Sequence, residues 1–280
     1  VLRGTETSIP WLDLSGHLSD ALLLSSVLKS YYDTYGRRVG IIRRPPLSAL
    51  FVGHPAVDCI ASHAPVEARV WWHAREDTLN DSEWQRAARS ITEDEIPSIP
   101  FWAPCPDGQE VLASLPVHGR PLLIAPVPAT PRGDWARGNW CQLIEEIRLL
   151  TDLPIATIAF PRVPGLPGTI NLSGLHTPQE LLGLVGASLG VIGVDPFVLR
   201  GSSMHGIPNI ALLGPDWFDA AEQGQHLSVS GKKTCATPCY ASAAGPAPCL
   251  EAQPCMSELS VTRVMDIFRN TLLPRLQGPD

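Results

Sequence analysis

The chain has 280 residues, which at ~100–200 residues per domain points to two domains. Hydrophobic residues make up 44% and charged residues 18%, excluding wholesale disorder, and a net charge of −7 excludes general coating of nucleic acid, so no nucleic-acid partner is expected. Gly, Pro or a charge interrupts every apolar run before the ~20 residues of a membrane helix, and 28 Pro with 23 Gly argue against a long helical bundle.

In chain order, Trp11 to Leu14 reads as a short buried strand, followed by a loop through Ser15, Gly16 and His17. The spacing of Leu24, Val27, Leu28, Tyr31 and Tyr35 predicts a helix from Asp20 to about Tyr35, with Gly36 as its stop. Val39–Ile42 is the next strand, completing one βαβ unit. A short helix over Leu47–Val52, a strand over Val70–His73 and a helix around Asp81–Ser90 follow. In the second half, Leu122–Ala125 reads as a strand, and Trp140, Leu143, Ile144, Ile147 and Leu150 share one helix face. Ile155–Phe160 and Thr169–Leu172 read as strands. Thr177-Pro178-Gln179-Glu180 opens a capped helix that runs to about Gly190. Val191–Val194 is then a strand with Asp195 at its carboxyl end, ahead of a short helix to His205 and the strand Asn209–Leu213. A last helix, Ser260 to Leu272, carries Val261, Val264, Met265 and Phe268 on one side. Strands alternating with helices predict α/β architecture with parallel sheets covered on both faces. The boundary falls near Leu115–Gly119, giving domains 1–117 and 118–280: two Rossmann-like domains expected to face each other across a cleft.

Three segments carry a resemblance. His17-Leu18-Ser19-Asp20-Ala21-Leu22-Leu23-Leu24-Ser25-Ser26 resembles the first loop and helix of bacterial heptosyltransferase-like glycosyltransferases (glycosyltransferase family nine). Gly53-His54-Pro55-Ala56-Val57-Asp58 is similar to that family's Asn-Pro-x-Val-Asp segment. Asn171-Leu172-Ser173-Gly174, Val191–Val194 with Asp195, Gly206-Ile207-Pro208 and Leu212-Leu213-Gly214-Pro215 resemble its donor-binding core. The resemblance implies a GT-B fold, with an N-terminal acceptor domain and a C-terminal nucleotide-sugar domain. It implies inverting, metal-independent transfer from a nucleotide-diphosphate sugar to a glycan, a lipid-linked saccharide or a protein hydroxyl. Several family positions differ here: Ser19 stands where the family has Gly, and Asp195-Pro196-Phe197 replaces an Asp-Ser/Thr-Gly turn. Arg200 replaces a His, and Gly133-Asp134-Trp135 replaces Lys-x-Trp. These departures keep a second reading open, a catalytically degenerate GT-B binding or assembly module. A third is an epimerase or hydrolase on the same fold.

Transfer to a hydroxyl needs a base, and Asp20, after a Gly-containing loop at the end of the first strand, is the candidate. The alternative is a carboxylate that only stabilises its own helix start. His17, in the same loop, is a candidate acceptor contact. The diphosphate is expected at the helix start after Asp195, where backbone N–H groups favour anions, with Pro196 removing one donor and Phe197 adding bulk. Arg200 supplies a bidentate phosphate contact or is a surface helix residue. Thr130 and Arg132, in the loop after Leu122–Ala125, are further phosphate candidates.

The cysteines of the last segment, Cys235, Cys239, Cys249 and Cys255, are spaced C-x3-C and C-x5-C, nine residues apart. The first pair fits a tetrahedral metal site and the second is slightly wide. Residues 1–10 show no secretory apolar core, which sets the expectation of a reducing, cytoplasmic compartment, peripheral at most to the inner membrane. There four thiolates suit a structural iron or zinc, against reduced cysteines or two disulfides. No catalytic metal is expected, and a homo-oligomer is compatible with the pattern.

Overall fold

Among the described residues, short apolar runs alternate with helices and pair into two all-parallel sheets. The computed structural model describes residues 9–14, 16–64, 69–71, 83–92, 95–129, 133–213, 226–230 and 254–277. The chain divides into two compact units, one of residues 1–105 with 177–179, the other of 106–176 with 180–280.

The first unit begins with β1 (Trp11–Leu14), α1 (Leu18–Tyr35) and β2 (Val39–Ile42). A 3₁₀ turn at Leu47–Phe51 leads to β3 (Val57–Ala61), followed by β4 (Arg69–Trp71) and α2 (Glu83–Ile91). The sheet order is β3-β2-β1-β4, with every pair parallel. Trp11 stands opposite Gly40 in the ladder, and a Cβ on Gly40 would lie 2.6 Å from the indole carbons, so the ring packs against bare backbone. α1 is buried along most of its length, serines included. Ser26 Oγ accepts from Trp102 N–H at 2.8 Å, and Ser30 Oγ donates to Pro97 O at 2.6 Å. The hydroxyls of Ser26 and Ser30 thus find partners in the 97–102 strap, whereas the buried Ser25 Oγ has none among the described residues.

His54 ties the turn before β3 to the same helix. Its Nε2 is 2.9 Å from Ser25 O, and its Nδ1 accepts from Ala56 N–H at 3.0 Å, so the neutral Nε2–H tautomer satisfies both. Burial pushes its pKa down from 6.5 to about 4. The segment that resembles the family's Asn-Pro-x-Val-Asp motif therefore carries a structural histidine.

The second unit holds α3 (Gly108–Ala113), β5 (Leu122–Ala125), α4 (Arg137–Arg148), β6 (Ile155–Thr157), β7 (Ile170–Asn171), α5 (Pro178–Gly186), β8 (Gly190–Gly193), α6 (Pro196–Met204), β9 (Asn209–Leu213) and β10 (His226–Ser230). It closes with α7 (Pro254–Ser257), α8 (Val261–Ile267) and α9 (Leu273–Gln277). The sheet order is β10-β9-β8-β5-β6-β7, again all parallel. The division between units falls at 105/106, earlier than the boundary near 117 expected from the sequence. α3 goes with the second unit because Gly108 packs on α5 so closely that a Cβ would meet Gly183 O at 2.1 Å.

Where the sequence predicts one final helix, the structure has α8, a π segment at Phe268–Leu272, and α9. Pro274 has no N–H for the carbonyl four residues back, and Leu273 N–H bonds Phe268 O instead, an i→i+5 step. The detour keeps Val261, Val264, Met265, Phe268 and Leu272 all in the core. β3, α3, β10 and α7 were not expected; each is short or lacks a clear apolar period.

Candidate active site

In open parallel sheets, ligands bind beyond the carboxyl ends of strands where the strand order reverses. In the first unit that reversal is at β1, flanked by β2 and β4; in the second it is at β5, flanked by β8 and β6. The residues following these strands include most of those singled out from the sequence.

After β1 the chain turns at Gly16 (φ 97°) into α1. His17, not Asp20, is the N-cap, and the helix begins at Leu18, two residues before its expected start. Asp20 is the third helical residue, and its Oδ2 accepts from His17 N–H at 2.9 Å. The carboxylate is half-buried and the His17 side chain is exposed. The first-turn role weighed for Asp20 is therefore present: it closes a capping-box contact and complements the helix dipole. Only one oxygen is engaged by that contact. Gly16 makes the arrangement possible, because a Cβ there would lie 2.6 Å from Asp20 Oδ2. Gly16→Ala is expected to destabilise the protein by about 2 kcal/mol, through positive φ and displacement of the carboxylate. Denaturant unfolding at neutral pH measures it.

One feature of this edge was not read from the sequence. Asp13, on β1, receives a side-on bidentate contact from Arg44: Nε to Oδ1 at 2.8 Å and Nη2 to Oδ2 at 2.9 Å. The contact raises the Arg44 pKa further above its ordinary value. Asp13 was hidden in a run read as buried strand, and its partner lies thirty-one residues further along the chain.

At the second reversal, Asp195 follows β8 and caps α6, its Oδ1 accepting from Phe197 N–H at 2.9 Å. Val198 N–H also hydrogen-bonds this carboxyl, and burial pushes its pKa up from 3.8 to about 6. Pro196 occupies the first turn and has no N–H. The backbone donors that an incoming phosphate would use at α6 are thus already engaged by an internal carboxylate. The Phe197 ring is in the core, 2% exposed. Arg200 is also 2% exposed, which overturns the surface-helix alternative and closes its guanidinium to solvent in this structure. Thr130 and Arg132 lie outside the described residues. Trp135, next to the Gly133-Asp134 pair, is a core residue whose Nε1–H donates to Leu259 O at 2.8 Å.

Of the four clustered cysteines, Cys235, Cys239 and Cys249 lie outside the described residues. Cys255 is half-buried on α7 and packs against the second unit's core. Among the described residues, no three His, Cys, Asp or Glu side chains converge as a metal site would require. Among them too, no helix is long and apolar enough to cross a membrane.

Two all-parallel α/β sheets in this order match the GT-B fold of heptosyltransferases. The chain is structurally similar over nearly its full length to solved family 9 glycosyltransferases. Against a glycosyl transferase of family 9 from Veillonella parvula the TM-score is 0.65 at 12% identity, covering 95% of this chain and 97% of that one. Against TibC of enterotoxigenic E. coli, a dodecameric iron-containing heptosyltransferase solved with ADP-D-β-D-heptose, it is 0.69 at 14% identity, covering 98% and 82%. Against E. coli ADP-heptose lipopolysaccharide heptosyltransferase II it is 0.63 at 11% identity, covering 95% and 99%. No protein-family model and no curated protein matches the sequence.

Proposed function

We propose that the protein is an inverting glycosyltransferase that moves a sugar from a nucleotide-diphosphate donor to a hydroxyl. The observation that carries this reading is Asp20: a half-buried carboxylate, oriented by His17 N–H, at the strand-order reversal of the first unit. In the proposed step the acceptor oxygen attacks the anomeric carbon and the bond from that carbon to the diphosphate oxygen breaks. The diphosphate leaves with the electron pair, and the hydroxyl proton passes to Asp20 as general base. No metal is needed for that balance. His17 is proposed to contact the acceptor. The donor is proposed to bind at the carboxyl ends of β5 and β8, near Asp195. Because α6's first N–H groups are engaged by Asp195, the diphosphate charge falls to Thr130 and Arg132 rather than to the helix start. The relative TibC is solved with ADP-heptose, so an ADP-linked sugar is the first donor to try. TibC is also iron-containing and dodecameric, which supports proposing Cys235, Cys239, Cys249 and Cys255 as ligands of a structural iron or zinc and a homo-oligomeric assembly.

One observation favours the degenerate binding module: Pro196 and the Asp195 cap leave α6 without open donors in its first turn. Calorimetric titration with ADP-, UDP- and GDP-sugars separates the readings. Saturable binding of one of them, with nucleotide diphosphate released when an acceptor is supplied, is the expected result. Absence of binding by all three overturns the transferase and leaves the module.

A further inference from the structure

We infer that Arg162 selects the donor's nucleobase, favouring one that presents carbonyl acceptors, guanine or uracil, over adenine; this rests on the transferase reading and narrows its donor. β5, α4 and β6 form a βαβ unit at the strand-order reversal of the second unit. In nucleotide-binding units of this kind the phosphates lie against the loop after the first strand, and residues beyond the second strand read the nucleoside. The proposed phosphate residues Thr130 and Arg132 belong to that first loop. Beyond β8 the other side is closed, because Asp195 caps α6 and Phe197 and Arg200 are buried. The nucleoside is left to the segment after β6. There Ile158 N–H bonds Ile124 O at 2.9 Å, which keeps the chain level with the end of β5, and Arg162 follows four residues later.

The backbone that carries Arg162 is fixed. Gly174 (φ 67°) packs on it so closely that a Cβ there would lie 2.6 Å from Arg162 Cβ. Val163 N–H donates to Ser173 Oγ at 3.0 Å, Asn171 Nδ2 donates to Val163 O at 3.0 Å, and Arg137 Nη2 donates to Gly165 O at 2.7 Å. The Arg162 side chain is exposed, and its guanidinium has no partner among the described residues. Residues 158–168 contain no Asp or Glu, and Arg162 is their only charge. A guanidinium donates through five N–H groups and accepts nothing. It matches guanine O6 and N7 or a uracil carbonyl, whereas the amino group of adenine would meet it donor to donor. A carboxylate, the residue type that would accept from that amino group, is missing from the segment. Phe160, two residues before Arg162, is half-buried, which leaves part of an aromatic residue accessible on the same stretch, and bases stack on such rings.

The test titrates the intact chain with ADP, GDP and UDP by calorimetry. GDP or UDP is expected to bind about tenfold more tightly than ADP, or better, and which of the two does so identifies the base. Arg162→Ala, which breaks no polar contact among the described residues, is expected to bring the favoured nucleotide down to the affinity of ADP. Arg162→Gln is expected to raise ADP binding relative to GDP and UDP, because the Gln amide both donates and accepts and so matches adenine N6 and N7. A role confined to loop structure or to general charge would instead shift all three nucleotides alike. ADP binding as tight as that of GDP and UDP in the parent protein, or the same ranking of nucleotides in both variants, overturns the assignment. A ranking that depends on Arg162, with no sugar transfer, keeps the base selection and removes the transferase. Transfer from an ADP-sugar at a rate that neither variant alters does the reverse. Absence of binding by all three nucleotides overturns both.

Discussion

Asp20→Asn is expected to lower sugar transfer by about 10²–10⁴-fold, the usual contribution of a positioned general base. The fall should appear in kcat, with donor binding by calorimetry unchanged, because Asp20 belongs to the first unit and the proposed donor residues to the second. The substitution separates the two roles found for this side chain. Asn keeps a carbonyl oxygen that can still accept from His17 N–H, so the capping contact survives. What it loses structurally is a negative charge in the first turn of α1, worth about 0.3–1 kcal/mol. A variant that folds within that margin and transfers at the parental rate removes Asp20 from the mechanism and leaves it as a capping residue. Gly16→Ala is the complement, disturbing the position of the carboxylate while keeping its charge.

His54→Ala is expected to cost about 3 kcal/mol of stability at pH 7, through loss of the partners of Ser25 O and Ala56 N–H and of ring packing on Phe51 and Trp102. The loss should itself depend on pH. The folded protein holds this imidazole neutral to about pH 4, against 6.5 for the ordinary group. Between those values the unfolded chain binds the extra proton, so the contribution of His54 is complete above about pH 6.5 and declines as pH falls to about 4, by about 3 kcal/mol in all. Parent and variant stabilities, measured by denaturant titration, are therefore expected to converge towards pH 4. A gap of constant size from pH 7 to pH 4 contradicts the assignment. Asp195 has the opposite sign: its folded pKa of about 6 lies above the ordinary 3.8, so its ionisation removes stability as pH rises through that window. Both proteins carry Asp195, so its effect cancels in the difference between them.

The alternation of apolar strands and periodic helices was legible because burial on both faces of a parallel sheet demands continuous apolar runs. Trp11–Leu14, Val39–Ile42, Leu122–Ala125 and Asn209–Leu213 are strands at the residues predicted. Helix ends were less legible. α1 starts two residues early because an exposed histidine serves as its N-cap while Asp20 closes the turn from inside. The last helix, expected over Ser260–Leu272, is α8 followed by a π segment that ends just before Pro274, which lacks an N–H.

Of the site, the sequence by itself determined which residue types stand after which strand: Gly16, His17 and Asp20 after β1, and Asp195 and Pro196 after β8. Chain order and periodicity suffice for that, since both are local. Only the tertiary structure decided that Asp195 satisfies α6's own N–H groups, that Phe197 and Arg200 are buried, and that Asp13 holds Arg44 from thirty-one residues away. Burial and pairing between distant residues arise from strand register and packing, and no spacing along a single chain encodes them.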